Sequence, residues 1–112
     1  MKPGNELNAI VAEKIFGWEI YQDQDQRDRS YVKHNAGGGY LLPDFSCDMG
    51  AAYQVVQEMI KRDYVNRFTM VETQSWHKCY FGKDNDEFAE KGESVPHAIC
   101  MAALKAEGWS EK

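Results

Sequence analysis

Leu7, Ile10, Val11 and Ile15 recur three and four residues apart, the spacing that lines one stripe of an α-helix. That stripe predicts a first helix capped by Asn5 and stopped by Gly17. Ala52, Val55, Val56, Met59 and Ile60 form a second stripe, over a helix from about Asp48 to Arg62, with Ser46 or Asp48 placed to accept its first free N–H groups. A third helix opens at Ser94 and Pro96, because proline fits a first turn where its missing N–H is not needed. Ile99, Ala102, Ala103 and Ala106 give this helix a small-residue face that can lie close to a neighbour. Gly108 ends it, and Trp109 is placed to fold back on Leu104 as in a Schellman cap.

Between the helical stretches the period changes to two. "WEIYQ" after Gly17 reads as extended, and so do "SYVKH" and "GYLL". "RFTMVETQ" and "SWHKCYFG" read as two strands of an antiparallel hairpin turning near Gln74 and Ser75. On the second of these, Trp76 and Tyr80 project to one side and Cys79 and Phe81 to the other, the pattern of a strand covered on both faces. "DQDQRDRS" and "KDNDEFAEKGE" are charged enough to read as solvated loops. The elements assemble into an α+β fold: a three-layer α/β/α sandwich with a small, mainly antiparallel sheet and three helices.

Bulk composition narrows the class. A chain of 112 residues with 43% hydrophobic residues supports one domain, 1–112, around one core. Its net charge of -5 sets the average field against duplex nucleic acid. "MKPGNEL" has no apolar h-region, and no apolar run is long enough to span a bilayer, so the expectation is a cytoplasmic protein with no membrane partner. Cys47, Cys79 and Cys100 are odd in number and widely spaced, which predicts buried reduced thiols.

Three segments carry a family resemblance. "LNAIVAEKIFGW", "YLLPDFSCDMGAAYQVVQEM" and "ESVPHAICMAALKAEGW" are similar, in content and order, to landmark segments of the phage alpha-beta-alpha sandwich domain, found in small proteins of phages and prophages. The specific signals are the helix ending in Gly17-Trp18, the run Pro43, Phe45, Ser46 and Asp48, and Pro96 to Cys100. The resemblance spares the loop around Asp23 to Asn35 and the acidic stretch near Asp84 to Gly92. It implies a sandwich fold and a phage setting within a bacterial host, and transfers no catalytic residues.

Candidate chemistry is sparse. The glycines at 37 to 39 are followed by Tyr40, Leu41, Leu42 and Pro43 with no Gly-Lys-Ser/Thr, so they turn the chain and do not build a Walker phosphate loop. A calcium loop counted from Asp23 puts Arg27, Asp28 and His34 where a ligand, a glycine and a glutamate are required. His77 with Cys79, and His97 with Cys100, make a two-His, two-Cys site stereochemically conceivable, yet both cysteines sit in apolar company, so no metal is predicted. His34, His77 and His97 form no recognisable triad with a nucleophile, and Asp84, Asp86 and Glu93 read as solvating charges; no catalytic residue and no cofactor is assigned. His97, in a first helical turn, reads as a capping or surface histidine.

What remains is binding. Tyr40, Trp76 and Tyr80 with Arg67, His77 and Lys78 offer aromatic faces beside cations, suited to stacking a base and holding a phosphate. The expected function is that of a non-catalytic phage or prophage accessory protein that sequesters a small nucleotide-derived host molecule, in a form compatible with a homo-oligomer. The alternative is a protein-binding adaptor or inhibitor of a host enzyme, in keeping with the acidic loops.

Overall fold

Two helices start where the sequence supplies a capping side chain. The computed structural model describes residues 1–22, 30–33, 39–71 and 76–110, with the side chains at 21, 22, 30–33, 39–41, 67–71 and 76 excepted. Helix α1 spans Asn5–Lys14, α2 Met49–Lys61 and α3 Val95–Ala106. At α2 the Asp48 carboxylate accepts the Ala51 N–H at 2.9 Å, and at α3 the Ser94 hydroxyl accepts that of His97 at 3.3 Å. The end of α3 is a Schellman motif: Gly108 has φ 87°, the Trp109 N–H reaches the Leu104 carbonyl at 2.9 Å, and the Gly108 N–H reaches Lys105 at 3.1 Å.

The start of α1 corrects one expectation. Asn5 does not cap it; Gly4 is the N-cap and no side-chain cap bond forms. Instead Asn8 and Ser46 tie the helix to the segment before α2. The Asn8 Oδ1 accepts from both the Ser46 N–H (2.8 Å) and the Ser46 hydroxyl (2.6 Å), Gly4 N–H donates to Ser46 Oγ at 2.8 Å, and Asn8 Nδ2 donates to Asp44 at 2.8 Å. Both Asn8 and Ser46 are buried, so each of these bonds replaces water that neither side chain can reach.

Among the described residues six strands follow the predicted extended stretches, with one addition. β1 (Ile20–Gln22), β2 (Ser30–Lys33) and β3 (Gly39–Leu41) form one antiparallel sheet; β4 (Val65–Val71), β5 (Trp76–Lys83) and β6 (Asp86–Gly92) form another in that order. β4 and β5 pair antiparallel as predicted, in a register that sets Val71 opposite Trp76 and Arg67 opposite Tyr80, while the turn predicted near Gln74 and Ser75 lies outside the described residues. β6 corrects the acidic-loop reading. Asp84 and Asn85 both have positive φ (52° and 72°), as a tight hairpin turn of the primed type requires, and the chain after them returns along β5 with Phe88 opposite Phe81.

Helix α3 is the hub. From Pro96 to Leu104 only Met101 escapes burial, because the helix packs against β5 and β6 and also against α2 and α1. Its close seat on the sheet rests on Gly92: a Cβ there would lie 2.4 Å from the Ala98 nitrogen. Leu7, Val11 and Ile15 of α1, Val55 and Met59 of α2, and Cys79 and Phe81 of β5 complete one contiguous core around Phe45, which stacks on Phe16 at 5.2 Å. Each such large apolar side chain withdrawn from water contributes about 2 kcal/mol. Ile60, counted in the α2 stripe from sequence, is 52% exposed and belongs to the outer face with Met49 and Tyr53. Three helices and an antiparallel three-stranded sheet thus pack together, as predicted. On β5 Cys79 and Phe81 are fully buried, while Lys78 and Tyr80, which face the other way, are half-buried.

Candidate functional site

Strand register decides which candidate residues can act together. Directly opposed positions of an antiparallel ladder share a face, so the register positions of Arg67, Thr69, Val71 and Trp76 share the sheet face of Lys78 and Tyr80. Arg67, Trp76, Lys78 and Tyr80, four of the six candidates, are therefore neighbours by register. Lys78 Nζ lies 5.2 Å from the centre of the Tyr80 ring, a cation–π contact that fixes the ammonium beside an aromatic face.

The other two candidates are elsewhere. His77 has the opposite parity and shares the Cys79 face, where its Nδ1 is buried with no hydrogen-bond partner among the described residues. Tyr40 is on β3, in the other sheet, opposite Val32. The glycine run is split: positions 37 and 38 lie outside the described residues, and Gly39 opens β3 opposite Lys33. A residue missed from sequence joins the face instead, since β6 sets Lys91 opposite Lys78. The signal for it was the Asp84-Asn85 dipeptide, a turn former that predicts a returning strand.

The metal candidates have other duties. Cys79 and Cys100 are core residues; burial pushes the Cys79 thiol up to about 12, with the Asn66 amide at 3.3 Å pulling weakly the other way, and it pushes Cys100 in the same direction. His97 is buried, its Nδ1 accepting the Glu93 N–H at 3.0 Å and its Nε2 2.7 Å from the Met1 carbonyl, so the second nitrogen carries the proton. This is the capping role expected, at a buried and not a surface position. Cys47 departs from the buried-thiol expectation: it is exposed. Among the described residues no three His, Cys, Asp or Glu side chains converge as metal ligands do.

Two cavities flank the sheet. One of about 360 Å³ lies between Asp63 and the β5–β6 turn and carries Asp84, Asp86 and Glu87 around Lys83. The other, of about 350 Å³, is walled by Met1, Met101 and Trp109 with Glu90, Lys105 and Ser110 around it.

A family model for the phage ABA sandwich domain matches residues 9–104. The chain belongs to the phage ABA sandwich domain family. A phage protein from Bacillus cereus ATCC 14579, known from a crystal structure, superposes with a TM-score of 0.81 at 24% identity, over 100% of this chain and 93% of that one. At that identity the likeness establishes a shared fold. No curated protein matches the sequence. The matched span takes in α2, α3 as far as Leu104 and the six strands of the described residues, so the Lys78 and Tyr80 face lies inside the family domain. Among the described residues no helix is long and apolar enough to cross a membrane.

Proposed function

We propose that this phage ABA sandwich protein acts by binding and without catalysis, sequestering a small nucleotide-derived molecule of its bacterial host on the Lys78 and Tyr80 face. One observation carries the reading: register brings the positions of Arg67, Lys78 and Lys91 onto one sheet face with Trp76 and Tyr80. The protein as a whole has a net charge of -5, so cations grouped at one place run against the average and favour an anion there. A planar base stacks on an aromatic ring, and a phosphate accepts charge-assisted bonds from lysine and arginine. Such a site needs no nucleophile and no general base, in keeping with the core and capping roles of Cys79, Cys100 and His97.

Isothermal titration against cyclic and ADP-ribose-type nucleotides tests the reading. At least one is expected to bind saturably and to be recovered chemically intact after heat denaturation of the protein. Lys78→Glu is expected to weaken that binding about 10- to 100-fold, the worth of one charge-assisted contact. Flat traces throughout, or recovery of a converted product, would defeat it.

A further inference from the structure

β6 is the outermost strand of the sheet ordered β4-β5-β6, and α3 packs against it. An outer antiparallel strand turns alternate N–H and C=O groups away from its neighbour, where another chain can pair with them. At Ala89 the carbonyl is met by a side chain: Lys105 Nζ from α3 donates to it at 3.2 Å while standing 3.2 Å from Glu90 Oε1. That lysine side chain is 51% exposed, so it covers the strand carbonyl without being locked in place.

Beside this covered carbonyl lies the cavity of about 350 Å³ walled by Met1, Met101 and Trp109, with Glu90 and Lys105 at its margin. Its volume is within the range that accepts a small ligand or one large side chain. Its walls are held: the Met1 carbonyl is bound by His97, and Trp109 is fixed by its bond to Leu104. A strand edge, a flanking helix and an apolar pocket between them are the parts by which an extended peptide adds a strand and buries one anchor side chain. The charge pattern selects the peptide. Along β6 and its flanks five carboxylates, Asp63, Asp84, Asp86, Glu87 and Glu90, outnumber the three lysines Lys83, Lys91 and Lys105, of which Lys105 is paired with Glu90. A basic segment is complementary to that strip and an acidic one is repelled.

We propose that the β6 edge and the Met1, Met101 and Trp109 pocket form a docking site for an extended, basic segment of a partner protein. The segment pairs through its backbone with β6 and buries one large apolar side chain in the pocket. Lys105 competes with it, because an incoming N–H at Ala89 takes the carbonyl that the ammonium now holds. The site does not depend on the nucleotide face, and either can fail without the other.

The probe is a nine-residue synthetic peptide alternating arginine with valine around a central phenylalanine, titrated into the full chain and followed by ¹⁵N–¹H correlation spectra. Saturable shifts are expected in β6 amides and in the Trp109 indole N–H. The same peptide N-methylated at alternate residues, which keeps its side chains and removes its donors, is expected to bind at least about 10-fold more weakly, as loss of the strand bonds requires. Met101→Lys is expected to abolish binding, and Lys105→Ala to tighten it several-fold. Lys105 is exposed and Met101 is the one half-buried position between Pro96 and Leu104, and the amide spectra of both variants serve as the control for an unchanged fold. The proposal is overturned if wild type and Lys105→Ala both fail to bind, if N-methylation or Met101→Lys makes no difference, or if the shifts map away from β6.

Discussion

Replacing Gly92 with alanine isolates the contact on which the packing of α3 depends. The added Cβ would lie 2.4 Å from the Ala98 nitrogen, 2.8 Å from its Cα and 2.9 Å from the His97 carbonyl carbon. All three are backbone atoms, so no side-chain rotation relieves the clash. Gly92 is not among the glycines with positive φ, and the effect is therefore steric with no part played by backbone strain. To restore ordinary contact near 3.4 Å, β6 and α3 must separate by about 1 Å. A gap of that size forfeits up to about half the dispersion energy of the atoms that face each other. Overpacking of this kind costs about 3 kcal/mol, the upper part of its usual range, since the seam runs through the most buried helix. For a chain of this length that lowers Tm by about 12 °C. Urea denaturation followed by circular dichroism measures it, with the midpoint expected to fall and the slope to stay constant. Gly82→Ala is the internal control: its Cβ would meet only the Asp86 carbonyl oxygen at an ordinary 3.5 Å, and its cost should stay below about 1 kcal/mol. Gly92→Ala within about 0.5 kcal/mol of wild type, or no worse than Gly82→Ala, refutes the reasoning.

Three further outcomes follow from other parts of the fold. Ser46→Ala removes the acceptor for the Gly4 N–H and a donor to Asn8 at a fully buried position, and should cost about 2 kcal/mol in urea denaturation, whereas Cys47→Ala next to it should be nearly neutral. In native protein the disulfide reagent DTNB should react promptly with Cys47 alone, and with all three thiols only after unfolding; prompt reaction of Cys79 or Cys100 would contradict their burial. The Cys79 thiol has its folded pKa raised from an ordinary 9.0 to about 12, so the folded state holds the proton that the unfolded chain releases. Stability from this group is complete below 9.0 and is lost as pH climbs toward 12. Cys79→Ala should therefore flatten the alkaline fall in stability by up to about 1.4 kcal/mol per pH unit, and an unchanged slope would refute the assignment.

The helices were legible because their signals are local. Asp48 and Ser94 cap, Gly108 stops, and the stripes of the three helices name ten of the nineteen buried hydrophobic side chains among the described residues. What escaped was set by distant partners. Asn5 has the chemistry of a cap, but the helix start is held by Asn8 and Ser46, which are 38 residues apart. β6 was hidden by its charge: Asp86, Glu87, Glu90 and Lys91 give it the composition of a loop, and it pairs because the Asp84-Asn85 turn returns the chain along β5. With β6 missing, neither Lys91 beside Lys78 nor the pocket under Lys105 was visible from sequence. Of the aromatic and basic candidates, parity alone separates His77 from Lys78 and Tyr80, and parity follows from the two-residue period of the strand, which the sequence shows. The separation of Tyr40 did not, because the division into two sheets is a property of the tertiary fold.

Native mass spectrometry of the protein produced in bacteria tests the central claim most directly, since it weighs the chain together with whatever it retains. A stoichiometric adduct of nucleotide mass on the wild type, absent from Lys78→Glu and from Tyr80→Ala at unchanged fold, is the predicted result. A bare polypeptide mass, or an adduct that both variants keep, would contradict the assignment of binding to the Lys78 and Tyr80 face.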